Sequence, residues 1–241
     1  MNLLLLHPEQ LTQDQGAIIR GRQLRHLTSV HQAEPGQSLR VGLVNGAIGK
    51  GILSELGDTE ARLEIEWREQ PPAPLPVTLI LALPRPKMLR RIIQGSVAMG
   101  VKRLVLINSC RVDKSYWQSR WLGESQLAEQ ITLGLEQASD TGWAEIHQRR
   151  LFKPFVEDEL AALAGDSQRL VMHPGGDVAC PAGLTQPVTL CVGPEGGFIP
   201  YEVDLIREQG FEAVHYGPRI LRTETAIPAI LGRIFDTIGL N

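Results

Sequence analysis

Several features that often announce a function are scarce in this chain. It has three cysteines in 241 residues, Cys110, Cys180 and Cys191, and no Cys-x-x-Cys pair. An odd, scattered set gives neither a disulfide framework nor a zinc finger, and it fits a reducing compartment. No His/Cys/Asp cluster has the spacing of metal ligands, so no metal is expected. No apolar run approaches the ~20 residues that span a bilayer. Residues 1–8 hold four leucines but lack a basic start and are too short for a signal peptide. The expectation is a cytoplasmic protein with no membrane partner. Aromatic residues make up 5% of the chain, so platforms for stacking bases are few. Tyr116, Trp117 and Trp121 are the candidates, and the spacing of the two tryptophans equally fits helix packing. A net charge of −3 speaks against polyanion binding by the whole surface.

Charge is nevertheless segregated along the chain. Residues 84–120 contain nine basic residues and one acid, Asp113, so this stretch alone carries +8. Arg85, Lys87, Arg90, Arg91, Arg111 and Lys114 are its candidate RNA contacts. A second acid-free stretch, 15–33, offers Arg20, Arg22, Arg25 and His26, with His31 beyond them. A block of one sign repels itself unless an anion meets it, and phosphates release counterions when they do. RNA docking is the preferred reading, a solvated face the plainer one.

Two kinds of pattern divide the chain. Over 1–70, strands are expected at 3–6, 39–44, 47–56 and 61–67, with a short helix at 22–29 and an Asn45-Gly46 hairpin turn. Short strands at this spacing suggest a small barrel. Gln70-Pro71-Pro72-Ala73-Pro74-Leu75-Pro76 cannot continue a sheet, and 71–76 is read as a linker. From 77 to 241 strands alternate with helices: strands at 77–83, 101–108 and 169–172, helices at 87–99 and over most of 117–139, and a last helix from 226 to 238. This alternation predicts an α/β fold with a mostly parallel sheet.

The most informative stretch is 188–226. A buried strand runs into Gly193-Pro194-Glu195-Gly196-Gly197-Phe198. After an amphipathic helix, a second strand, 211–216, runs into Gly217-Pro218-Arg219-Ile220-Leu221-Arg222-Thr223-Glu224-Thr225-Ala226. Parallel strands that discharge into glycine turns place a ligand at their carboxyl ends. His173-Pro174-Gly175, after the 169–172 strand, is a third such turn, and its histidine is either a pocket wall or an ordinary loop residue. No Walker lysine follows Gly197 and the spacing is not that of a dinucleotide fold, so no phosphate cradle is expected. Main-chain groups bared by glycine suit an uncharged heterocycle or a ribose.

Gly-Pro-Glu-Gly-Gly and Ile-Leu-Arg-Thr-Glu-Thr-Ala, about two dozen residues apart, closely resemble the two cofactor loops of SPOUT methyltransferases, and within them the ribosomal RNA small subunit methyltransferase E family. The resemblance implies a C-terminal trefoil-knotted α/β domain, one of the rare exceptions to unknotted topology, and a PUA-like β-barrel at the N-terminus. It implies S-adenosylmethionine as cofactor, ribosomal RNA or the small ribosomal subunit as partner, a homodimer, and uridine N3 as methyl acceptor. His173, Pro174, Gly175, Val192, Gly193, Pro194, Glu195, Gly196 and Gly197 would hold the cofactor from one side. Tyr216, Gly217, Ile220, Leu221, Arg222, Thr223, Thr225 and Ala226 would hold it from the other, with Ile220 and Leu221 as the apolar wall for adenine.

Methyl transfer from a sulfonium is mostly a matter of positioning. Deprotonating N3 places negative charge on the pyrimidine carbonyls, and Arg222 is the expected stabiliser. A guanidinium is a poor base, so the proton would pass to water or to Glu224 or Glu195. Each has a structural alternative: Arg222 as a loop clamp, Glu224 as a helix-start acid, Glu195 as a turn stiffener. Thr225 is expected to cap the last helix, with Pro228 in its first turn. The chain departs from the family pattern at Gly95, where lysine is usual, at Ala98-Met99, and at Ser139-Asp140, where an arginine is missing. These departures keep two alternatives open: another RNA target such as transfer RNA, or a noncatalytic RNA-binding assembly factor.

Overall fold

In the computed structural model, which describes residues 2–29 and 32–235, the strands collect into two sheets belonging to two units. One unit takes in the chain up to Pro72 and again Thr132–Trp143. Its sheet is built from β1 (Leu4–Leu6), β2 (Gly16–Ile19), β3 (Ser38–Leu43), β4 (Ile48–Leu56) and β5 (Ala61–Glu69), in the order β1-β3-β4-β5-β2. All neighbours are antiparallel except β1 and β3. The alternation in β5 puts Ala61, Leu63 and Ile65 inward, where they meet Leu4, Leu6, Ile19 and Leu53. Leu24 and Leu27 of α1 (Gly21–Ser29) close that core. Asn45 takes a left-handed φ of 56° in the predicted Asn-Gly turn.

The segment from Thr132 to Trp143 was not expected to join this unit. It does so through main-chain bonds, Leu3 N–H to Glu136 O (3.1 Å) and Asn45 N–H to Thr141 O (2.8 Å). The Arg22 guanidinium also grips both carboxylate oxygens of Glu136, at 2.9 and 3.0 Å. The packing is close: a Cβ on Gly42 would lie 2.5 Å from the Thr141 methyl.

The other unit holds seven strands, all paired in parallel: β6 (Val77–Ala82), β7 (Arg103–Ile107), β8 (Glu145–Arg149), β9 (Gln168–Met172), β10 (Val178–Ala179), β11 (Val188–Val192) and β12 (Glu212–His215). Their order is β10-β12-β9-β11-β6-β7-β8. β6 and β11 are apolar almost throughout because both faces of the sheet are covered. The chain steps outward from β6 through β7 to β8, then returns to β9 on the far side, and β11 fills the place between β9 and β6. The direction of winding therefore reverses at β6 and β11, the position at which open α/β sheets form a crevice beyond their carboxyl ends.

The helices are α2 (Pro86–Ala98), α3 (Glu124–Ala138), α4 (Phe152–Pro154), α5 (Ala161–Ala164), α6 (Pro200–Glu208) and α7 (Thr223–Ile234), with a π-helical stretch, Phe155–Leu160, joining α4 to α5. The helix read over most of 117–139 is α3, and the residues before it break into the 3-10 turns Lys114–Gln118 and Arg120–Leu122. Asp113 and Ser119 cause the break, because their side chains accept the N–H groups of Ser115 and Trp121 and cap each turn locally. The last helix starts earlier than expected: Arg222 O already accepts from Thr225 N–H and Ala226 N–H, so Arg222 stands at the cap, not Thr225. Pro228 consequently lies in the second turn. The predicted extension of this helix to 238 falls outside the described residues.

Candidate functional site

The carboxyl ends of β9, β11 and β12 open onto one cavity of about 380 Å³, a volume suited to a nucleoside-sized ligand. Its three walls differ in how firmly they are built. After β9, the His173 imidazole Nδ1 accepts Gly175 N–H at 3.1 Å, and His173 O accepts Gly176 N–H at 2.9 Å.

The wall after β11 is the most tightly held. Gly193 is crowded by backbone: an added Cβ would lie 2.9 Å from Phe198 N and 3.2 Å from Gly197 Cα. Gly197 has φ 70°, a conformation that glycine adopts at no steric cost. The Glu195 carboxylate accepts Arg85 N–H from the loop after β6, at 3.0 Å. Arg111, from the loop after β7, donates to Gly196 O. Glu202, at the third position of α6 and only 3% exposed, ties the end of the wall: one oxygen accepts Ile199 N–H at 3.0 Å, the other Cys110 N–H at 2.6 Å. Three side chains thus fasten this loop to those after β6 and β7.

The wall after β12 is different. Among the described residues, Gly217 to Leu221 make no hydrogen bond, and Ile220 is 82% exposed although it lines the cavity. Gly217 has φ 137°. Order returns at α7, whose buried Thr223 and, a turn or two later, Ala226 and Ile230 close the cavity.

Most of the residues singled out in the sequence meet here. His173, Pro174, Val192 and residues 193–197 line the cavity, as do Tyr216, Gly217, Ile220, Leu221, Thr223 and Ala226. Gly175, Arg222, Glu224 and Thr225 are not among its lining residues. Five others are: Met172, Phe198, Arg219, Ile230 and Arg111. Phe198 and Arg219 sit inside the two glycine strings, and Ile230 follows Ala226 at helical spacing, so these were within reach of sequence reasoning. Arg111 was marked for RNA contact; nothing in its local sequence reveals that the fold carries it to the β11 loop.

The basic residues fall into groups. Arg20 is paired with Glu60 (2.6 Å) and Arg22 with Glu136. Arg90 stacks over the Trp121 ring at 4.1 Å, with Arg120 4.8 Å from the same ring centre. Trp117 is buried and donates Nε1–H to Asn108, which makes it a packing residue. Arg25, Lys87, Arg91 and Lys114 are exposed, and their side chains have no ion pair among the described residues. Arg85 is also exposed and meets Glu195 through its backbone; His26 is half-buried in α1. His31 lies outside the described residues. Burial pushes the Cys180 thiol up to about 11 against a weaker opposing pull from Arg233, and burial pushes Cys191 higher still. Among the described residues no group of three or more His, Cys, Asp or Glu could hold a metal ion, and no helix is long and apolar enough to cross a membrane.

Over 233 residues the chain is 27% identical to the ribosomal RNA small subunit methyltransferase E of Treponema pallidum, covering 94% of this chain and 87% of that protein. The crystal structure of the Neisseria gonorrhoeae ribosomal RNA small subunit methyltransferase E, bound to S-adenosylmethionine, superposes with a TM-score of 0.73 at 24% identity, covering 96% of this chain and 95% of the other. A Legionella pneumophila methyltransferase in complex with S-adenosylmethionine gives 0.76 at 22% identity, covering 96% and 95%. Residues 71–235, well over half the chain, match the RNA methyltransferase domain family, and the protein belongs to that family.

Proposed function

We propose that the protein transfers the methyl group of S-adenosylmethionine to N3 of a uridine in small-subunit ribosomal RNA, in the cytoplasm and as a homodimer. The observation that carries this reading is the cavity at the ends of β9, β11 and β12, lined by both glycine strings. Its glycines bare main-chain groups for adenine and ribose, while Leu221, Phe198 and Ile230 supply an apolar wall. The names of the full-length relatives support the ribosomal substrate, and the ligands in the structures of relatives support the cofactor.

In the reaction the N3 lone pair attacks the methyl carbon, the carbon–sulfur bond breaks, and S-adenosylhomocysteine is released. The N3 proton passes to water or to a carboxylate, and of Glu195 and Glu224 it is Glu195 that lines the cavity. Arg222, at the cap of α7, is the proposed stabiliser of charge on the pyrimidine carbonyls. RNA would dock on exposed cations that have no carboxylate partner among the described residues, such as Lys87, Arg91 and Lys114 in the unit with the parallel sheet and, separately, Arg25 in the N-terminal unit. The five-stranded sheet of the N-terminal unit suits a PUA-like RNA-binding barrel, with the proline-rich residues 71–76 as linker to the methyltransferase domain. A trefoil knot is consistent with β11 filling the gap between β9 and β6, and with Gly183 and Leu184 N–H bonding to the end of α7 at Arg233 and Ile234.

The test is methylation of small subunits that lack the modification, using labelled S-adenosylmethionine, followed by nucleoside mass spectrometry. N3-methyluridine in ribosomal RNA is the expected product. Label in another nucleoside, or no label at all, would contradict the reading.

A further inference from the structure

We propose that Arg219 grips a backbone phosphate of the nucleotide being methylated, and so belongs to the RNA and not to the cofactor. The inference rests on the reading above and assigns a substrate contact within the same site. Two guanidinium groups, Arg111 and Arg219, line the cavity against one carboxylate, Glu195. Arg111 is already committed to the wall: it donates to Gly196 O, and its Cδ would lie 3.0 Å from a Cβ on Gly196. Glu195 is committed to Arg85 N–H. Arg219 is exposed and has no hydrogen bond or ion pair among the described residues, on a loop that itself makes none.

Charge counting separates the possible ligands. S-adenosylmethionine brings one carboxylate together with an ammonium and a sulfonium, so it is a net cation. It can satisfy one guanidinium, and the one held in place by the wall is Arg111. A second, unpaired guanidinium beside a cationic ligand is repelled unless a further anion arrives. The target base must leave its stack to reach the methyl group, and an extruded nucleotide brings its phosphates to the cavity mouth. Arginine is the side chain whose fork matches phosphate oxygens two at a time. The preceding Gly217-Pro218 turn and the absence of loop hydrogen bonds leave Arg219 able to follow that phosphate.

The experiment compares the full-length wild type with Arg219→Ala and Arg219→Lys. S-adenosylhomocysteine binding is measured by calorimetry, and binding of unmodified, in vitro transcribed small-subunit ribosomal RNA is measured across a salt series. For Arg219→Ala the cofactor-product affinity should stay within about 2-fold of wild type, because no contact to it is lost. RNA affinity at low salt should fall about 10-fold, and the slope of log affinity against log salt should shrink by roughly 0.7 to 0.9, the loss of one phosphate contact. Arg219→Lys should restore the slope and only part of the affinity, since it keeps the charge and loses the fork. In methyl transfer the loss should appear in KM for RNA, with kcat at saturating RNA little changed. A cofactor-product affinity weakened 10-fold or more with an unchanged salt slope would overturn the proposal and assign Arg219 to the cofactor carboxylate. No change in either measurement would overturn it as well. The RNA salt slope is read without catalysis, so this inference and the methyl-transfer reading fail separately.

Discussion

The two glycine loops that face each other across the cavity are built on opposite plans. The β11 loop is fastened by Glu195 and Glu202, which accept N–H groups of neighbouring loops, and by Arg111 of a neighbouring loop, which donates to Gly196 O, and Gly193 is boxed in by backbone. Among the described residues the β12 loop makes no hydrogen bond between Gly217 and Leu221, and it exposes Ile220 almost fully. One wall is therefore a preorganised surface whose conformational cost is met during folding, and the other lacks such ties among the described residues.

The contrast can be broken from the rigid side first. Glu202→Ala removes the acceptor of two N–H groups at once, on Ile199 and Cys110, and should cost about 2–5 kcal/mol of stability by denaturant unfolding. Glu202→Gln keeps one acceptor oxygen and should recover about half of that loss. Gly193→Ala forces a Cβ against Phe198 N and should cost about 1–3 kcal/mol, with cofactor affinity reduced at least ~10-fold by calorimetry. Arg111→Ala leaves Gly196 O to water and should cost only about 1 kcal/mol. On the open side, Ile220→Ser should leave stability within about 0.5 kcal/mol, because the side chain is already in solvent, while weakening ligand binding. Equal stability losses on the two sides would dissolve the comparison.

The smallest effect concerns the thiols. Cys191 lies buried in β11 and Cys180 is buried near Arg233, whereas Cys110 is exposed. Alkylation of the native protein near pH 8 should label Cys110 alone by mass spectrometry, and all three after unfolding. The buried thiols also set a sign for alkaline pH. Cys180 is raised from 9.0 to about 11 in the folded chain, so between those values the unfolded chain gives up a proton that the folded chain keeps. Stability should therefore fall as pH rises through that window.

How much of this was legible in the sequence depended on whether the cause was local. Glycine strings at strand ends, the Asn45-Gly46 turn and the apolar runs of β6 and β11 each carry their reason in adjacent residues, and they predicted the cavity and the parallel sheet. β8 was missed because Glu145–Arg149 is polar and lacks alternation, its strand character coming from its neighbour β7. β2 was missed because four residues starting at a glycine give almost no pattern. The start of α7 was misjudged because Pro228 looked like a first-turn residue, when the bonds to Arg222 O set the boundary. The departures at Gly95 and Asp140 also separate in the structure. Gly95 is exposed, with open space where a side chain would stand, while Asp140 is buried and accepts Gly142 N–H within the segment that joins the N-terminal unit. The placement of Arg111 and of 132–143 depends on contacts far along the chain, which no window of sequence contains.

A crystal structure of the protein with S-adenosylhomocysteine tests the central claim most directly. The ligand should lie between residues 193–198 and 216–223, with the β11 loop unmoved, its bonds to Glu195, Arg111 and Glu202 intact, and residues 217–221 newly hydrogen-bonded. Ligand density outside this cavity, or a rearranged β11 loop beside an unchanged β12 loop, would contradict the account.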